Sequence, residues 1–163
     1  MTKKAADELL AELLAREAIR DLSARYCDCV WRGDIDGLVE LFTEDGAFVI
    51  KSPDGETRVE GRAALKDFYR VGLRHQQRPL VHNVVVELRS ADRAGGRAYL
   101  DMRSAKHNYE LMGAGHYADE YRRLGGQWYF ESRVFTALRL DAGPGSAKPR
   151  SAASAARRVR RAH

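Results

Sequence analysis

Three side chains in this sequence are of the types that move protons or hold an oxygen anion, and each stands among apolar neighbours: Tyr26, His82 and Arg133. His82 lies in Arg78-Pro79-Leu80-Val81-His82-Asn83-Val84-Val85-Val86-Glu87-Leu88, whose β-branched density predicts a long strand with Pro79 at its start. Alternation puts Leu80, His82, Val84, Val86 and Leu88 on one face and Val81, Asn83, Val85 and Glu87 on the other. An imidazole on so apolar a stripe is either a packed, hydrogen-bonded ring or the polar point of an apolar pocket. In the second case it is the best general base in the chain. Arg133 shares a predicted face with Tyr129, Glu131, Phe135 and Ala137. A guanidinium in that company either pairs with Glu131 or anchors a ligand carboxylate, phenolate or ketone oxygen. Tyr26 sits on a helical apolar stripe, as a core residue or as a donor to a substrate oxygen.

Other chemistry is largely excluded. Cys27 and Cys29 are two apart on a predicted helix, where side chains diverge, so neither a disulfide nor a C-x-x-C metal site is expected. Both read as ordinary thiols of a reducing cytoplasm. No spacing groups His, Cys or carboxylates as metal ligands, and neither a metal nor a cofactor is expected. His75 and His107 fall at element ends, and Asp34 and Asp36 read as helix caps and solvated acids. The chain carries +5, yet residues 142–163 hold Lys148, Arg150, Arg157, Arg158, Arg160 and Arg161 with no acid. Residues 1–141 are therefore nearly neutral, at about −1. The basic end lacks interleaved aromatics, so no specific nucleic-acid partner is expected. No apolar run is long enough to suggest a membrane span or a secretory leader.

The elements that must position these groups fit one domain over residues 1–141. Residues 4–32 predict a long helix on the repeat Leu10, Leu14, Ala18, Leu22, Tyr26, Val30, ended by Gly33. Asp34 caps a short helix, Ile35 to Phe42. Gly46–Lys51 and Glu56–Glu60 form a small hairpin around Pro53-Asp54-Gly55, and a third helix runs from Gly61 to about His75. The His82 strand follows, then a turn at 91–96 and a strand over Arg97–His107 in which Ala98, Leu100, Met102 and Ser104 alternate with Arg97, Tyr99, Asp101 and Arg103. Asn108 bends the chain into strands Leu111–Leu124 and Gln127–Leu140 across a Gly125-Gly126 turn. Helices first and long antiparallel strands last is an α+β pattern, with helices on one face of a curved sheet. Residues 142–163 offer almost no core material and read as a disordered Ala/Ser/Arg-rich tail.

This order, with Ile19-Arg20-Asp21-Leu22, Arg32-Gly33-Asp34 through Gly46, Gly61-Arg62-Ala63-Ala64-Leu65, Val81-His82-Asn83, Gly115 through Tyr121 and Trp128 through Arg133, resembles the SnoaL-like branch of the NTF2-like superfamily over residues 8–140. The resemblance implies a mostly antiparallel cone, three helices on its concave face and an apolar pocket. It also implies pairing into a homodimer or higher homo-oligomer through the outer sheet face, with His116 outward if Tyr117 faces in. In the family's dehydratases, dehydrochlorinases and related lyases, an Asp late in the first helix and a His early in the first long strand form an acid/base dyad, supported by a helix Tyr and a last-strand Arg. Tyr26, Tyr117 and Arg133 fall on matching positions. Trp31 and Pro79 stand where the dyad would be, and tryptophan offers only a wall and one N–H donor. The implied site has His82, Arg133 and Tyr26 as catalytic candidates, and Trp31, Tyr117, Asn83, Leu100 and Met102 around a small hydrophobic molecule. The expected function is a cofactor-independent lyase, isomerase or cyclase on a hydrophobic cyclic oxygenated compound. The alternative is a noncatalytic ligand-binding or assembly protein.

Overall fold

Thr2 caps the first helix: its hydroxyl accepts from the Ala5 amide at 3.3 Å. That helix, α1 (Lys3–Arg32), closes at Gly33, whose φ of 71° lets its amide turn back to the Cys29 and Val30 carbonyls. Asp34 caps α2 (Ile35–Glu40) by accepting from the Gly37 amide at 2.9 Å. There follow β1 (Phe42–Ser52), β2 (Gly55–Glu60), α3 (Arg62–Gly72), β3 (Gln77–Leu88), β4 (Arg93–Ser104), β5 (Glu110–Leu124) and β6 (Gln127–Leu140). This computed structural model describes residues 2–52, 55–73 and 77–140. The Pro53-Asp54 turn, His75 and the tail over 142–163 lie outside the described residues.

The strands form one curved mixed sheet in the order β2-β1-β6-β5-β4-β3, antiparallel throughout except where β1 runs parallel to β6. Ile19, Leu22 and Tyr26 of α1, Leu38 of α2 and Leu65 of α3 close one face of it, over Ala98, Leu100, Tyr121 and Phe130. The fold is the α+β cone that the sequence resembles.

Five sequence-based expectations need correction. The i+4 repeat in α1 drifts by about 40° at each step, because four residues overshoot a 3.6-residue turn. Leu10 and Leu14 have therefore rotated off the buried face, and both are more than half exposed. Phe42 belongs to β1 rather than α2, since it pairs with Phe130 in the parallel ladder. β4 begins at Arg93 rather than Arg97: Gly95 and Gly96 are not a turn but paired strand residues opposite Glu87 and Val86. At Gly96 a Cβ would come within 2.9 Å of the Tyr121 ring, so here glycine serves close packing.

The last two corrections bear on the site. The β3–β4 register shifts between Val81 and Asn83, leaving His82 as an extra residue in the ladder. Pro79, Val81, Val84 and Val86 face inward as a result, while Leu80, His82 and Asn83 face out. A second shift leaves Glu131 unpaired between Phe130 and Ser132, so Phe130 and Arg133 both point inward and Glu131 does not share Arg133's face.

Candidate functional site

Between α1, α3 and the sheet lies an apolar cavity of about 280 Å³. Tyr26 and Val30 come from α1, Phe68, Tyr69 and Leu73 from α3, and Phe48 and Ile50 from β1. The later strands add Pro79, Met102, Tyr117 and Phe135. Gly115 makes room for this wall, because a Cβ there would meet the Phe135 ring at 2.5 Å. The volume is just under the roughly 300–1,000 Å³ usual for small-molecule sites. A larger cleft of about 710 Å³ between α1, α2 and the β5–β6 turn is charged, and its arginines are occupied by neighbouring acids, Arg32 with Asp28 at 2.8 Å and Arg25 with Asp21 at 2.9 Å. The apolar cavity with few polar groups is the better candidate.

Apart from the exposed Gln77 at the start of β3, its polar side chains are phenols. The Tyr26 and Tyr69 hydroxyls are 3.1 Å apart and share one hydrogen bond, and the Tyr117 ring stands edge-on to Tyr26 at 5.9 Å. Burial pushes the Tyr26 phenol up, with Arg133 pulling against it. Tyr69 and Tyr117 are raised well above the ordinary value, again by burial first and by Tyr26 next. All three remain neutral donors at physiological pH.

Behind the phenols sits Arg133, fully buried. Its Nε and Nη2 donate to Asp119 Oδ1 and Oδ2 at 2.9 and 2.8 Å, and Nη2 also donates to Ser23 Oγ at 3.0 Å. The Tyr26, Tyr117 and Phe130 rings lie 4.1–4.2 Å from its guanidinium carbon. Burial works against the charge, but Asp119 outweighs it and holds the arginine protonated. Tyr121 donates to Asp119 Oδ2 at 2.8 Å. The assembly is a neutral ion pair sealed under aromatic rings, with Nη1 alone lacking a partner.

Trp31 and Pro79 are joined to each other. Trp31 Nε1 donates to the Pro79 carbonyl at 2.8 Å, and its ring stacks on Tyr109 at 5.5 Å. On the far side of Pro79, a groove of about 350 Å³ runs between α1 and β3, lined by Arg20, Cys27, Trp31 and His82. His82 is half-exposed there, its Nε2 3.4 Å from Asp101 Oδ1.

Of the sequence candidates, the structure brings Tyr26, Tyr117 and Met102 together at the cavity, with Arg133 directly behind. Trp31 and His82 line the outer groove, Asn83 is exposed beside them, and Leu100 is core beneath the sheet surface. Sequence reasoning does not single out Tyr69 for the site and does not pair Asp119 or Ser23 with Arg133. A signal existed for both: Asp119 alternates onto the face of Tyr117, and Ser23 stands one helical turn before Tyr26. Among the described residues no cluster of three or more His, Cys, Asp or Glu could hold a metal, and no helix is long and apolar enough to cross a membrane.

The sequence profile described as a SnoaL-like domain matches residues 11–134. Among solved structures, a function-unknown protein from Mycobacterium tuberculosis is 31% identical, with 94% of this chain and 88% of that one covered and a TM-score of 0.70. An NTF2-like protein with a cystatin-like fold from Novosphingobium aromaticivorans is 22% identical over 86% and 93%, with a TM-score of 0.74. A putative scytalone dehydratase from the same organism is 20% identical over 85% and 98%, with a TM-score of 0.67.

Proposed function

This chain belongs to the SnoaL-like domain family, and on that premise we propose that it is a small-molecule protein whose ligand is a compact, uncharged, oxygen-bearing cyclic compound held in the tyrosine cavity. The observation that carries the reading is the hydrogen-bonded Tyr26–Tyr69 phenol pair in a mostly apolar cavity. A ligand carbonyl or hydroxyl replaces the phenols' mutual contact with one of its own, while the ring lies against Phe48, Phe68 and Met102. A carboxylate is disfavoured. Asp119 already consumes the Arg133 charge in a two-point contact, so a buried anion would lack a counter-ion.

Turnover as a lyase, isomerase or cyclase would then rest on phenols polarising the ligand oxygen, since donors preorganised in an apolar site stabilise developing negative charge. Tyr26 takes that role, with Arg133 and Asp119 fixing the ring that carries it. His82 faces the outer groove and would reach this ligand only from outside Pro79. A second reading, ligand binding without chemistry, is favoured by the Trp31–Pro79 hydrogen bond, which ties the dyad positions into a strut with neither acid nor base. Homodimerisation through the outer sheet face, where Tyr99 meets His116, belongs to both readings.

The test is a titration of the full chain with cyclohexanone and with cyclohexanecarboxylate, followed by tyrosine fluorescence and by native mass spectrometry. The reading expects the ketone to perturb the tyrosines and the acid to bind at least tenfold more weakly. Equal or tighter binding of the acid would overturn it. A retained natural ligand recovered chemically unchanged after prolonged incubation would select the noncatalytic reading.

A further inference from the structure

The tyrosine cavity is polar where it is most buried and polar again where it meets water, with apolar walls between. Tyr26, Tyr69 and Tyr117 at the buried end are only 2–5% exposed. Phe48, Ile50, Phe68, Met102 and Phe135 make the walls. Gln77 also lines the cavity and is exposed. Its direction follows from β3: Pro79 faces the cavity, and a residue two positions earlier shares its face. Among the described residues no lining side chain is charged. The solvent end therefore offers one neutral amide, which both donates and accepts.

A glycine stands beside that end. On α3, Leu65, Phe68 and Tyr69 form the face packed toward the sheet. Gly72 continues the same stripe, three residues past Tyr69 and four past Phe68, and it lines the cavity. Side chains on such a stripe fill the core, yet a Cβ at Gly72 would meet no heavy atom of the described residues within 4 Å. The backbone does not call for glycine there either. Gly72 is not among the residues with positive φ, and the helix is capped by Leu73 at an ordinary φ of −69°. What the missing side chain leaves is a gap in the cavity wall next to Leu73 and Gln77.

We propose that the ligand enters past Gly72 and carries uncharged oxygens at opposite ends of its ring, the inner one held by the phenols and the outer one by the Gln77 amide. This rests on the tyrosine-cavity reading and narrows its ligand class. An oxygen opposite the first lies clear of walls that would leave it unpaired and reaches the one other group able to bond it. The space suits such a molecule, since about 280 Å³ equals the share of roughly nine waters. That is room for one ring with an oxygen at each end.

The full chain is titrated with cyclohexanone and with 1,4-cyclohexanedione, followed by tyrosine fluorescence. Two equivalent ends alone give the dione an advantage of about twofold, and the hydrogen bond to Gln77 should raise it to about fivefold or more. Gln77→Leu, a change at an exposed site, should return the advantage to about twofold. Gln77→Glu separates recognition from packing, because a carboxylate accepts but does not donate. It should lose the dione's gain yet keep the gain of the corresponding trans diol over cyclohexanol. Gly72→Leu should melt no lower than the natural chain, leucine being the better helix former, and should bind both ketones about tenfold more weakly or worse. If neither ketone perturbs the tyrosines, the cavity reading and this inference fall together. If cyclohexanone binds and the dione gains only the statistical advantage, or its gain survives Gln77→Leu, the cavity reading stands and the doubly oxygenated ligand is overturned. Ketone binding that ignores Gly72→Leu overturns the entry route.

Discussion

Two cavities share a wall at Pro79, and they differ in what they do with water. On the inner side, Tyr26, Tyr69 and Tyr117 are buried and neutral over the sealed Arg133–Asp119 pair. On the outer side, the His82 imidazole on the β3 bulge lies 3.4 Å from the Asp101 carboxylate, and both are in partial contact with solvent. The inner cavity gains strong hydrogen bonding at the cost of having no base. The outer groove keeps the base in a high-dielectric setting where it polarises little. Residue type alone marks the histidine as the reactive group, but burial assigns the stronger polar environment to the phenols.

The largest break in this contrast comes from Asp119→Ala. It leaves a fully buried guanidinium unpaired, which costs roughly 3–5 kcal/mol of stability by the usual penalty for half of a buried pair. Urea denaturation should show this, and replacing both partners, as Asp119→Leu with Arg133→Met, should recover most of the loss. Unchanged stability in the single variant would mean that water reaches the inner cavity as freely as the outer groove.

Alkaline pH probes the same burial. The Tyr26, Tyr69 and Tyr117 phenols are raised above their ordinary value. Above about pH 10 the unfolded chain therefore loses these protons while the folded chain keeps them. Stability from this source is fully present below that value and falls as pH rises through it toward the higher folded values. Thermal melts should be insensitive to these groups up to about pH 9 and decline beyond about pH 10. Tyr26→Phe should cost about 1 kcal/mol by removing one buried hydrogen bond, flatten part of that decline, and lower cyclohexanone affinity by about tenfold, a loss of about 1.4 kcal/mol.

How much of this was legible from the chain depends on what alternation and periodicity can see. Helix caps at Asp34 and Gly33, the inward set Ala98, Leu100, Met102 and Ser104, and the inward Tyr117 with outward His116 all follow from local rules. What local rules cannot see is a single extra residue, because a bulge is fixed by register against the neighbouring strand. One bulge at His82 turned the imidazole outward. Another at Glu131 moved Arg133's partner from its own strand to Asp119, directly across in β5. In α1 the signal was present but read at the wrong period, since a strict four-residue spacing carries Leu10 and Leu14 away from Tyr26.

Trp31 and Pro79 make the wall itself, so a change there tests whether the two cavities are separate at all. Trp31→Phe keeps an aromatic ring for Tyr109 and removes the Nε1 donor to the Pro79 carbonyl, at a cost of about 1 kcal/mol. His82→Ala removes a half-exposed ring and should change stability by less than about 0.5 kcal/mol. If the wall holds, neither substitution alters cyclohexanone affinity by more than about twofold, because the ligand contacts Tyr26, Tyr69 and the aromatic lining on the inner side. If the wall opens, the pairing becomes informative. Trp31→Phe would then make affinity sensitive to His82→Ala in the double variant, since the imidazole would have gained access to the cavity. A coupling between those two substitutions, absent for either alone, would merge the two cavities into one site and return the acid/base role to His82.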